Sequence, residues 1–315
     1  GPQIIVGSIL IEGNALTKES VFLKELEFKV GDILTPSALE ESINRLQRLG
    51  FFNSVDIRSL EEKSSISHRT IIVKVTERNP GTFNFGAGIN NEREMTIRGF
   101  TGISYRNLGG VGRGLSARGE LNYNIAGIRY PEFKITGGFL EPYLLGTRSR
   151  GRANLTRSQT VTDYDKQVVT EATEIVYTIE QNVTSHILAS WDIWQGTRAR
   201  DFRIDNSAPE VSQDIVTTGP NIEIDYRDHP FNPTSGTFTR FSLEYSDPDL
   251  GSSKTIKFWK STAATTGYVR IPYRSWIWAN SLRGGFLQNL SHDPDGGVPY
   301  NKKGFLLGGS TTIRG

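Results

Sequence analysis

Two hydrophobic rhythms divide the chain. From about residue 82 onward, apolar and polar positions alternate for more than two hundred residues. Phe83, Phe85, Ala87 and Ile89 alternate with Asn84, Gly86, Gly88 and Asn90, and Leu115, Ala117, Leu121 and Tyr123 with Ser116, Arg118, Glu120, Asn122 and Asn124. Ile222, Ile224 and Tyr226, and then Thr239, Phe241, Leu243 and Tyr245, repeat the pattern. A period of two puts one set of side chains on each face of a β-strand. About eleven such strands precede residue 287, many of ten residues or more. That exceeds the roughly 5–6 residues usual in soluble sheets and approaches the roughly 9–11 that a tilted strand needs to cross a bilayer.

The first part runs differently. Residues 4–11 are rich in β-branched side chains and end at the turn Glu12-Gly13-Asn14. Thr17 then stands where a helix cap belongs, with Glu19 in the first turn and Phe22, Leu23 and Leu26 on one face. A second helix is marked by Thr35 as cap, Pro36 at its first position, Leu39, Ile43, Leu46 and Leu49 at helical spacing, and Gly50 as its stop. Strands over 54–60 and 69–76 follow. The expectation is therefore an α+β domain of order β-α-α-β-β over residues 1–80 and an all-β antiparallel region over 81–315.

Composition narrows what the alternating part can be. The chain has 315 residues, with 33 Gly, 16 Phe, 11 Tyr, 5 Trp, one Met and no Cys. Glycine and aromatics in this proportion favour strands and tight turns. A formal net charge of +2 is too small to suit nucleic-acid binding. Mean hydropathy is −0.37, and no apolar run approaches the roughly 18 residues of a transmembrane helix. A soluble β-sandwich also alternates, with its apolar face on a second sheet. The polar faces separate the two readings, because Arg148, Arg150, Arg152 and Asn154 lie along one strand and need water or counter-charges opposite them. The lumen of a transmembrane barrel supplies both, and Tyr143, Trp191, Trp194, Trp259, Trp276 and Trp278 are candidates for its aromatic belts.

Two motifs are more specific than composition. The first is Asp225-Tyr226-Arg227-Asp228-His229-Pro230, continued by Pro233 and Gly236; the second is Gly308-Gly309-Ser310-Thr311-Thr312-Ile313-Arg314-Gly315. Together they resemble the BamA-type outer-membrane assembly family, in which a D-x-R-D-x-P-x-x-P-x-x-G strand end precedes a long loop carrying an R-G motif. The β-α-α-β-β unit, with Glu12-Gly13-Asn14 and Leu49-Gly50-Phe51-Phe52, resembles a POTRA domain. Residues 107–114, Asn-Leu-Gly-Gly-Val-Gly-Arg-Gly, resemble that family's turn between its second and third barrel strands.

The resemblance implies a sixteen-stranded barrel whose sixth external loop folds back into the lumen and holds the R-G motif against the wall. It assigns Gly308, Gly309, Ile313, Arg314 and Gly315 to that loop. Asp225, Arg227, Asp228, Pro230, Pro233 and Gly236 form a strand end that braces it. The first barrel strand, with Phe83, Phe85, Gly86, Gly88 and Ile89, forms a lateral seam that the two glycines weaken. The chain stops at Gly315, without the aromatic that follows the motif in the family and about five closing strands. An open sheet leaves unpaired backbone in lipid, so a piece of a longer chain, or completion by another chain, is expected.

The chemistry expected is non-covalent. Asp225, Asp228 and His229 are close in sequence, yet Asp225 and Asp228 point to opposite faces of a strand, which disfavours a metal or acid–base site. No Ser-His-Asp arrangement or phosphate loop is present in the sequence. No cofactor, metal or catalytic residue is expected. The implied role is insertion of unfolded outer-membrane proteins, with periplasmic chaperones, accessory lipoproteins and membrane lipid as partners and no nucleic acid. The implied location is the outer membrane of a bacterium, with the POTRA domain in the periplasm. A secretion pore of the two-partner type, a TamA-like module and a passive porin are the rivals.

Overall fold

The computed structural model describes residues 4–61, 67–91, 95–205, 207, 210–271, 276–292, 297–299 and 302. The chain begins β1 (Ile5–Glu12), α1 (Glu19–Glu25), α2 (Pro36–Arg48), β2 (Phe52–Ser59) and β3 (His68–Glu77), the β-α-α-β-β order read from the pattern. These strands form a sheet of order β1-β3-β2, with β1 parallel and β2 antiparallel to β3. The core is apolar and fully enclosed: Val6, Phe22, Leu46, Ile71 and Val73 have no exposed surface, and the Phe22 and Phe52 rings lie 5.4 Å apart. In α2 the cap is as expected, Thr35 Oγ1 accepting from Ala38 N at 3.2 Å. On its inner face Ser42 is also buried, donating to Ala38 O and accepting from Glu27 N. Thr17 does not cap α1; Lys18 occupies the N-cap without a side-chain bond.

Eleven further strands follow: β4 (Gly81–Asn90), β5 (Thr96–Leu108), β6 (Arg113–Asn124), β7 (Pro131–Glu141), β8 (Arg150–Asp163), β9 (Val168–Asn182), β10 (Ile187–Arg203), β11 (Val211–Asp225), β12 (Gly236–Ser246), β13 (Phe258–Arg270) and β14 (Ile277–Asn289). They pair in sequence order into one antiparallel sheet edged by β4 and β14. The shortest has 10 residues and the longest 17, enough to cross a bilayer and extend beyond it. No helix among the described residues is long and apolar enough to cross a membrane.

Register assigns the faces. Glu223 stands opposite Arg240, Arg240 opposite Ala264, and Glu244 opposite Lys260, so these charges share one face. The arginines of β8 find the expected counter-charge there: Arg150 and Arg152 both reach Glu180, at 3.0 and 2.9 Å. Phe241, Leu282 and Phe286 lie on the other, apolar face, exposed. Trp191 and Trp194 are three residues apart, a spacing that alternation would put on opposite faces. A register shift between Asp192 and Trp194 places Trp191 opposite Ile179 and Trp194 opposite Tyr177, so both lie on the apolar face. Trp276 and Trp278 are exposed, as a belt requires, whereas Tyr143 is buried at 8% exposure and does not belong to one.

The chain packs as two compact units. One comprises Gly1–Ala87, Gly99–Gly119 and Gly137–Pro142; the other comprises Gly88–Arg98, Glu120–Thr136 and Tyr143–Gly315.

Candidate functional site

The expected seam strand is β4, and it lies at an edge of the eleven-stranded sheet. Phe83, Phe85 and Ile89 are exposed, and the two phenylalanine rings are 5.7 Å apart. Its two glycines differ. A Cβ on Gly86 would come within 2.6 Å of the Phe100 ring, whose face also carries the Arg118 guanidinium at 4.4 Å from its centroid. Gly86 thus makes room for an aromatic from β5, which strengthens packing at that point and does not weaken it. Gly88 has only Arg98 Cγ at 3.9 Å and is open. Beside the strand's start, Gly81, Phe83, Ile103, Tyr105, Leu115 and Ala117 line a groove of about 380 Å³ across β4, β5 and β6.

The strand-end motif forms a turn held by its own side chains. Arg227 donates through Nε and one terminal nitrogen to the two Asp225 oxygens at 2.8 and 2.7 Å, and through the other to Pro230 O at 2.9 Å. Its guanidinium lies 4.5 Å over the Phe238 ring. Such a planar fork suits a carboxylate and an aromatic face at once. Asp228 accepts from the Thr234 hydroxyl at 2.5 Å and from the N–H groups of Thr234, His229 and Ser235 at 2.9, 3.0 and 3.1 Å. The Thr234 hydroxyl and these amides hold the Asp228 carboxyl far below the usual carboxylate range. Gly236 has φ of 98°, and a Cβ there would sit 2.1 Å from Tyr226 O, so the chain re-enters β12 only through glycine.

The side-chain hydrogen bonds that Asp225, Arg227 and Asp228 make among the described residues lie within 225–235. The motif therefore organises its own turn; Gly308, Gly309, Ile313, Arg314 and Gly315, which it was expected to brace, lie outside the described residues. Pro230 contributes a carbonyl acceptor to Arg227. Among the described residues, no group of three His, Asp or Glu converges on a metal position.

A third constellation was missed at the level of sequence. Asn107, the penultimate residue of β5 before its turn into β6, has φ of 65° and is buried. Its Nδ2 donates to Thr17 Oγ1 at 2.8 Å, while its Oδ1 accepts from Gly112 N at 2.8 Å. Lys18 N donates to Gly110 O at 2.8 Å, and a Cβ on Gly110 would meet Leu16 O at 2.3 Å. On the other side, Glu77 at the end of β3 accepts from Leu16 N and Thr17 N at 2.8 and 2.7 Å. The glycines of residues 107–114 thus let one backbone approach another inside the first compact unit. Thr17 is buried because it joins this turn.

In the three-stranded sheet the two edges also differ. The segment 31–34 bonds to the first half of β1, through Val6 N to Asp32 O, Gly31 N to Val6 O and Leu34 N to Ile4 O. The outer side of β2 has no backbone partner among the described residues.

A POTRA-like sheet with two helices, followed by long membrane-length strands paired in sequence order, defines a POTRA-bearing outer-membrane β-barrel protein. The comparisons with known proteins agree. The Omp85 superfamily domain matches residues 107–315, and a POTRA model described as a surface antigen variable number repeat matches residues 4–78. The chain belongs to the Omp85 superfamily, whose place is the outer membrane with POTRA domains in the periplasm. It is 24% identical over 325 residues to the outer membrane protein assembly factor BamA of Nitratidesulfovibrio vulgaris, covering 99% of this chain and 38% of that protein. Among solved structures, BamA from Haemophilus ducreyi lacking POTRA domains 1–3 matches with a TM-score of 0.72 and 20% identity, covering all of this chain and 60% of that one. CdiB from Acinetobacter baumannii matches with a TM-score of 0.62 and 14% identity over 99% of this chain and 56% of that one. The chain thus spans about two-fifths of the length of the curated relative.

Proposed function

We propose that this chain is the membrane-proximal part of an assembly factor that receives unfolded outer-membrane proteins and inserts them into the outer membrane by strand templating, without a covalent step. The observation that carries the reading is the character of β4, the first strand of the eleven-stranded sheet and so one side of the seam where the full-length barrel closes, with Phe83, Phe85 and Ile89 exposed along it. An edge strand offers unpaired N–H and C=O groups to an incoming strand, and backbone pairing tolerates any sequence. The open outer side of β2 suits capture of an extended segment by the same physics. Periplasmic chaperones that deliver the substrate, accessory lipoproteins and membrane lipid are the partners this role calls for.

The test locks the seam. A disulfide between a cysteine at Phe85 and one on the closing strand of the full-length protein abolishes insertion of an unfolded barrel protein into liposomes, and reduction restores it. Undiminished insertion by the locked protein overturns the templating reading. The second reading, a polypeptide-exporting pore of the two-partner type, accords with the fold likeness to CdiB. It predicts channel conductance and export of a cognate protein, with no loss of barrel biogenesis on depletion.

A further inference from the structure

The polar face of the sheet carries an apolar patch that alternation does not account for. Ser246 stands opposite Thr217 on one side and Phe258 on the other; Lys260 stands opposite Glu244 and Leu287. Ile215 is two residues from Thr217 on the same strand, so Ile215, Phe258 and Leu287 share the face of Glu244 and Lys260. A face that lines water should hold polar groups here, yet Ile215 and Phe258 are 2% and 0% exposed. Their cover is Ile256, from the connection between β12 and β13, and Val298, beyond β14; the four form one buried cluster, with Leu287 packed against it.

Four residues further on, Lys302 makes a second kind of contact with the same face. Its Nζ donates to Glu244 Oε2 at 2.6 Å, and its carbonyl accepts from Lys260 Nζ at 3.1 Å. Lys302 N donates to Pro299 O at 2.9 Å, tying it back toward Val298. The Lys302 and Glu244 side chains are 18% and 30% exposed, so the pair is partly withdrawn from solvent.

We propose that Val298 and Lys302 are positioning residues that seat the segment after β14 on the polar face of β11–β14. Val298 supplies an apolar knob for a patch that would otherwise meet water. Lys302 supplies direction, because a charge-assisted bond to Glu244 is satisfied in one place along the strand. Neither contact uses Arg314, so this seat is separate from any hold the arginine provides. The inference rests on the packing of this face and stands whether the protein assembles barrels or exports polypeptides.

The test uses the full-length protein in liposomes with a single cysteine at Val298, since this stretch has no cysteine of its own to compete. The maleimide labelling rate reports how often the segment leaves its seat. With Lys302 or K302R in the background, labelling is slow. K302M and E244Q each speed it about tenfold, the loss expected for one charge-assisted hydrogen bond. Equal rates in all four backgrounds overturn the proposal, as does failure of K302R to behave like the parent. Heat-modifiable gel mobility identifies any variant that fails to fold; a V298S variant, read through a cysteine at Ile256, then repeats the measurement without touching the ion pair. A protein that keeps this labelling pattern but inserts no substrate would sink the assembly reading and leave the seat in place.

Discussion

Strands β3 and β14 draw on the same kinds of apolar residue and use them in opposite ways. In β3, Ile71, Ile72, Val73 and Val75 are 0–5% exposed, covered by the protein's own side chains. In β14 every residue except Leu287 is exposed, with Leu282 at 72% and Phe286 at 53%. Exposure to the outside is therefore not exposure to water. The small unit satisfies its apolar surface internally, as any soluble α+β domain does, while the large sheet turns that surface outward and keeps its ion pairs, Arg240 with Glu223 and Arg150 with Glu180, on the other face. The hydrocarbon of the bilayer does for the sheet what the helices do for β3.

The hardest blow to this contrast falls on the enclosed core. Phe22→Ala removes a ring with no exposed surface that packs on Phe52, and destabilises the POTRA unit by about 3–5 kcal/mol. Urea unfolding of the isolated unit or limited proteolysis of the whole chain measures it. The next test pairs two leucines that are both exposed. Leu282→Arg, midway along β14, costs about 2–4 kcal/mol in a bilayer because the charge is placed in hydrocarbon. Leu23→Arg, at 50% exposure on α1, changes stability by about 0.5 kcal/mol or less. Refolding titrations in liposomes, with and without each substitution, separate them. If Leu282→Arg is as harmless as Leu23→Arg, the apolar face does not meet lipid and the contrast between the two regions fails.

Much of this was legible from local pattern. The β-α-α-β-β order, the Thr35 cap and the eleven long strands follow from periodicity and turn chemistry, which depend on neighbours in sequence. What stayed hidden depends on partners far along the chain. Thr17 looked like a helix cap because Ser and Thr before a helix usually cap it; its partner Asn107 lies ninety positions away. Trp191 and Trp194 share a face only because of a bulge, which alternation cannot reveal. Gly86 reads as a weak point in one strand and becomes a socket once Phe100 of the next strand is placed over it. Ile215 and Phe258 break the polar pattern of their face and are explained by residues from two other segments. Of the site, the turn at 225–236 was visible as a motif, but its internal wiring was not.

The turn at Asn107 sharpens the comparison in the unit where POTRA residues and barrel-strand ends pack together. Asn107→Ala leaves Gly112 N and Thr17 Oγ1 without their partner and keeps a non-glycine residue at positive φ. The expected cost is about 1–3 kcal/mol. Amide hydrogen exchange at Lys18 and Gly112 reads it directly, with faster exchange at both and none at Ala38 in α2. An effect confined to Gly112 would mean that Asn107 only shapes its own turn.

The smallest effect expected is the acid response of the exposed turn at 226–235, and its sign follows from Asp228. The Thr234 hydroxyl and three backbone amides lower the Asp228 pKa from its ordinary 3.8, so the folded turn prefers the carboxylate. A carboxyl depressed in the folded state contributes stability that is complete above the unfolded value and is lost as the pH falls through the folded one. Protection of the Thr234 and Ser235 amides should therefore stay level from pH 7 to about 4 and decline only in stronger acid. Asp228→Asn removes the charge, lowers that protection about tenfold at neutral pH and flattens its acid dependence. An acid decline in wild type that persists unchanged in Asp228→Asn would remove Asp228 from that role.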